Sequence, residues 1–174
     1  MVMNYFELFD MTVQLKPDKQ SLSRKFFELS RKHHPDYFVN ETAEVRAEVL
    51  ERSALLNKAF KTFRDDDETI KYVLQWKGLL EEEEKYQLPP DFSMKVLEIN
   101  EALMDIEMNE DKSGIPNLES RIKQLQEKIY EPVKEIIEHY QEGVTTEEEL
   151  LQVKEYYYKK KYLDRIKQQL QAKS

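Results

Sequence analysis

The apolar positions of this chain recur at the spacing of helices. Leu22, Phe26, Leu29 and His33 fall at i, i+4, i+7 and i+11 of a stretch predicted to be helical from about Asp18 to His33, so they share one core-directed face. Tyr5, Phe6, Leu8 and Phe9 make a short helical stub before it, between Asn4 and Asp10, and the loop VQLKPDKQS joins the two. A third helix, from about Thr42 to Phe63, carries Val45, Val49, Leu56, Ala59, Phe60 and Phe63 on one face and is long enough to lie antiparallel to the second. RDDDETIKYVLQW then places acidic residues where a helix N-terminus favours them, followed by Ile70, Val73 and Leu74 for packing and Gly78 as a C-terminal cap.

After Glu81 to Glu84 the periodicity breaks, and Leu88, Pro89 and Pro90 form a stiff segment that marks a domain junction. Three more helical patterns follow, from Phe92 to about Met108, Asn117 to about Tyr140 and Thr145 to about Gln171, separated by SGIPN and EGVTTEEE. Thr145 or Thr146 is placed to cap the last, and Pro132 to kink the middle one. Short connections favour an antiparallel three-helix bundle. The expected organisation is all-α: residues 1–78, a linker over 79–91, and a bundle over 92–174.

Composition agrees. Of 174 residues, 36% are charged and 40% hydrophobic, with only three glycines, which favours helix and supplies a core. Cysteine is absent, excluding disulfides and thiolate zinc sites. No leader pattern opens the chain, so it reads as cytoplasmic. No apolar run approaches the roughly 20 residues that span a bilayer, so no membrane role is expected. The net charge of −8 disfavours general nucleic-acid binding. No phosphate-cradling glycine loop exists, so an ATP-dependent role requires a partner.

The stretch SRKHHPDYFVN raises the question of chemistry. Pro35 drives His34 out of α geometry, so the second helix ends near His33 and HHPD forms a loop. Adjacent histidines leave a helix about 100° apart and do not converge with Asp36 on a metal, and no nucleophile accompanies them for catalysis. No cofactor and no metal are expected. On the face opposite the apolar stripe, Arg24, Lys25, Arg31 and Lys32 form a basic stripe interrupted by Glu28.

The aromatic-rich stub, the basic second helix, the His34-Pro35-Asp36 loop, the third helix ending in LLNKAFKTF and the small fourth helix together resemble the J-domain of DnaJ-type co-chaperones. Tyr37 stands where a lysine is common in that family, and Asp66 where a proline is. The resemblance implies that His34, Pro35 and Asp36 engage a DnaK-type ATPase chaperone and stimulate it, with Arg24, Lys25, Arg31 and Lys32 steering docking. There is no Gly/Phe-rich linker and no cysteine-rich region. YFELF, HHPDYF and FSMKVLEINEALMDIE instead resemble the HscB/Hsc20 family of iron–sulfur co-chaperones over essentially the whole chain.

That resemblance implies an activator of a DnaK/HscA-type chaperone that delivers an IscU-like iron–sulfur scaffold protein to it, rather than an enzyme. The residues offer a matching surface. Phe92, Val96, Ile99, Leu103 and Ile106 suffice for a core face, leaving Met94, Leu97, Met104 and Met108 as a second stripe with Glu98 and Glu101 at its rim. The last helix packs through Tyr156, Leu163, Ile166 and Leu170. The family pattern adds Tyr162 to the scaffold-binding face. A J-domain adaptor for another client, or a structural helical adaptor whose HPD is an ordinary turn, are the alternatives.

Overall fold

The computed structural model of the chain describes residues 4–173; residues 1–3 and 174, the outer ends of the two expected domains, lie outside the described set. The described residues form helices and contain no strand: α1 (Tyr5–Leu8), α2 (Lys19–Lys32), α3 (Ala43–Phe63), α4 (Asp66–Trp76), α5 (Pro90–Asn109), α6 (Ile115–Tyr130), α7 (Lys134–Glu138) and α8 (Glu147–Gln171), with short 3-10 turns between some of them. No described helix is long and apolar enough to cross a membrane.

The helix ends sit where local chemistry puts them. Asp18 caps α2 by accepting from the Ser21 amide, and Thr42 caps α3 through the Val45 amide. Asp65 accepts from the amides of Asp67 and Glu68 to start α4. Thr146 and Glu149 close a reciprocal capping box on α8. Gly78 follows α4 with φ +74°, a left-handed conformation that glycine adopts without steric cost. The middle pattern of the second half departs from one kinked helix. Pro132 has no amide hydrogen to continue the ladder, and α6 ends at Tyr130, passes through a 3-10 turn over Glu131–Val133 and resumes as the short α7.

Contacts divide the chain into two compact units. One holds the residues up to Lys77 together with Ile137–Thr145; the other holds Gly78–Ile136 and the residues from Thr146 onward. These differ from the expected limits of 1–78, 79–91 and 92–174 in two places. The segment expected to be a linker belongs to the second unit, and the connection before α8 belongs to the first.

In the first unit α2 and α3 form the hairpin, with Phe26 stacked on Phe60 at 4.1 Å between ring centroids. The stub α1 is anchored by aromatic packing: Phe6 lies 4.6 Å from Phe63, and Tyr5 stacks on Tyr72 at 4.5 Å while its amide donates to the Tyr72 hydroxyl. Thr69, fully buried, donates its hydroxyl to the Asp65 carbonyl at 2.8 Å, and Lys19 bridges the Phe63 carbonyl and Asp66. The α3–α4 turn is thereby held to the start of α2. Glu142 pairs with Lys77, and Glu138 lies 3.9 Å from Lys16, tying the connection before α8 into this unit.

In the second unit α5, α6 and α8 pack together. Phe92, Val96, Ile99 and Leu103 of α5 are buried as expected, whereas Ile106, in its last turn, is half-buried. Leu118, Ile122 and Leu125 of α6 and the stripe Tyr156, Leu163, Ile166 and Leu170 of α8 are buried as well, and α5 packs against both helices. The segment before α5 is fastened to α8: Leu80 is buried, Glu84 pairs with Lys154 at 2.7 Å, and Tyr86 stacks on Tyr158 at 4.5 Å. The Lys154 ammonium holds the Glu84 carboxyl below its ordinary range.

Candidate functional site: an exposed HPD turn and an exposed Met/Leu face

His33 ends α2 with φ −110° and ψ 23°, and His34, preceding the proline, is extended at ψ 132°. Pro35–Phe38 then form a single 3-10 turn packed on α3. The His34 ring caps that turn, its Nδ1 accepting from the Asp36 amide at 3.2 Å. The Asp36 carboxylate is 84% exposed, with an oxygen 3.5 Å from the same Nδ1. Tyr37, beside it, is exposed, its ring edge-on to His34.

On α2 the structure divides the four basic residues. Arg24, Arg31 and Lys32 are exposed and line a shallow depression with Glu28. Lys25 is half-buried and lies 3.9 Å from Asp10, outside that depression. The depression contains an aromatic residue that the apolar periodicity passed over: Phe27 is 67% exposed among the three cations. Its signal is present in the chain, since Phe27 is the one large apolar side chain of α2 off the Leu22–Phe26–Leu29 stripe. His33 is held below its ordinary range by burial, with Arg52 and Lys32 adding repulsion. Among the described residues no three His, Cys, Asp or Glu side chains gather to hold a metal ion.

On α5, Met94, Leu97, Met104 and Met108 are exposed, and so are Glu98 and Glu101. The helix thus buries one apolar face and presents another. On α8, which packs against α5, Tyr162 is exposed with the Arg165 guanidinium over its ring.

Residues 88–171 match the family described as the HscB C-terminal oligomerisation domain. Solved structures similar over nearly the whole chain include human co-chaperone protein HscB, with TM-score 0.78 and 24% identity over 99% of this chain and 82% of that one. Another is chaperone HscB from Vibrio cholerae, with TM-score 0.72 and 23% identity over 98% and 96%. The second half of the chain thus matches the HscB C-terminal domain family, and the chain as a whole has the HscB fold.

In this chain the HPD turn and the basic α2 depression lie in the first unit, and the exposed α5 stripe and Tyr162 lie in the second. The all-α architecture, with an HPD hairpin followed by a helical bundle, is that of HscB.

Proposed function

We propose that the chain is a co-chaperone that stimulates the ATPase of a DnaK/HscA-type chaperone and brings to it an IscU-like iron–sulfur scaffold protein. The observation that carries this reading is the HPD turn. His34 spends its ring nitrogen on holding the turn, and Asp36 then projects a carboxylate that is 84% exposed. A buried or capping aspartate would read as structure; this one is aimed at a partner. Arg24, Arg31 and Lys32 supply the positive field that draws an acidic ATPase surface into register, and Phe27 among them provides an apolar contact once water is expelled. Lys25, engaged near Asp10, contributes less.

Met94, Leu97 and Met104, with Tyr162, are the contact surface for the scaffold protein, and Glu98 and Glu101 form its charged rim. Carrying both surfaces on one chain raises the effective concentration of client at the chaperone, so modest separate affinities suffice for a ternary complex. The iron–sulfur cluster is cargo of the scaffold.

The deciding experiment is Asp36→Asn in a single-turnover ATPase assay with the cognate chaperone. Stimulation is lost while the melting temperature stays within about 2 °C of the parent, because an exposed carboxylate contributes within about 0.5 kcal/mol of stability. Full stimulation by the variant overturns the assignment. The family description of the second unit as an oligomerisation domain favours a second occupant for the α5 stripe, another copy of the chain. Sedimentation of wild type and Leu97→Asp separates the two: a monomeric wild type leaves the stripe to the scaffold protein.

A further inference from the structure

Sulfur is unevenly distributed in this chain. Cysteine is absent, so two-electron oxidation at sulfur falls on methionine. Among the described residues no buried side chain of the core is a methionine. Met11 is half-buried, whereas Met94, Met104 and Met108 are all exposed on α5, Met108 at 78%. At 100° per residue these three and Leu97 fall within an arc of about 80°, along about 21 Å of helix. That arc lies opposite the buried Phe92, Val96, Ile99 and Leu103. An oxidant in solution therefore meets the thioethers of the exposed stripe and none in the core.

The chemistry is simple for hydrogen peroxide. A sulfur lone pair attacks one peroxide oxygen, so that an S–O bond forms and the O–O bond breaks. The other oxygen takes the proton of the transferred one and leaves as water. Sulfur loses two electrons and the peroxide gains them. The product, a sulfoxide, is a polar acceptor where an apolar side chain stood, and an interface that covers it must supply a donor or leave it unsatisfied. Glu98 and Glu101 at the rim, ionised, are acceptors themselves and offer none.

We infer that Met94, Met104 and Met108 form a reversible oxidation site, and that their sulfoxides release the scaffold protein while the fold stands. This switch rests on the α5 stripe being the scaffold contact.

The test treats the full chain with hydrogen peroxide at a dose that leaves Met11 reduced, removes the peroxide, and titrates in a cluster-free IscU-like scaffold protein by calorimetry. Peptide mass spectrometry finds the added oxygen on Met94, Met104 and Met108. Scaffold affinity falls on the order of tenfold, and the melting temperature is unchanged. A pair of methionine sulfoxide reductases, one for each sulfoxide epimer, restores the affinity. Met94→Leu with Met104→Leu and Met108→Leu, compared with its own untreated state, shows no loss on peroxide treatment. Unchanged affinity of the oxidised wild type overturns the proposal, as does an equal loss in the leucine variant, a loss the reductases do not reverse, or oxidation of Met11 ahead of the α5 methionines. Absence of scaffold binding by the untreated chain overturns the scaffold reading and the switch together, whereas binding that is indifferent to oxidation overturns the switch alone.

Discussion

Truncating the exposed face of the bundle separates partner contact from fold. Met94, Leu97 and Tyr162 are 58%, 50% and 39% exposed, so roughly half of each side chain is covered by the chain itself and half is free for a partner. Full burial of a side chain of this size is worth about 1.5–3 kcal/mol, which leaves about 1 kcal/mol per residue to be gained on association. Met94→Ala, Leu97→Ala and Tyr162→Ala together therefore weaken scaffold binding by about 3 kcal/mol, or about a hundredfold. The cost to folding is small. Alanine recovers some helix propensity, and the three truncations sum to about 1–2 kcal/mol. A single Leu103→Ala, at a position 4% exposed, costs about 2–5 kcal/mol by opening a cavity. Titration calorimetry against the scaffold protein and urea denaturation of both variants read the two quantities. A triple variant less stable than Leu103→Ala refutes this facing of α5, and undiminished scaffold binding places the client surface elsewhere.

Chaperone stimulation should fall as ionic strength rises, because Arg24, Arg31 and Lys32 are exposed and the screening length shrinks from about 10 Å at 0.1 M salt to about 3 Å at 1 M; a salt-independent response in steady-state ATPase measurements removes their steering role. Burial, Arg52 and Lys32 hold His33 below its ordinary value, so below about pH 6.5 the unfolded chain takes up a proton that the folded chain resists. Stability should then fall as pH drops from about 6.5 toward the depressed value, with His33→Gln losing that part of the slope and an NMR titration of the imidazole reporting a midpoint below 6.5; an ordinary midpoint refutes it.

Much of this protein is local, and local chemistry is legible in one dimension. Pro35 alone dictates the extended His34 and hence the end of α2. Asp18, Thr42 and Thr146 start their helices with side chains a few residues from the amides they cap. The apolar spacing of α5 separates Leu103, which is buried, from Met104, which is not, because a helix gives each residue a direction as soon as it forms. Pro132 announces a break, yet whether the chain kinks or closes a 3-10 turn depends on what packs around it.

The remaining features belong to the tertiary structure. Lys25 is drawn toward Asp10, and Phe27 is left in the open, only because α1 and α3 occupy particular sides of α2. Tyr86 and Lys154 lie far apart in the chain, so nothing near Pro89 and Pro90 shows that the supposed linker is clasped to α8. Lys95 and Lys128 come to line one depression through the relative register of α5 and α6, which periodicity does not specify. A helix pattern states which way a side chain points; what stands opposite it is decided only when two helices choose how to pack.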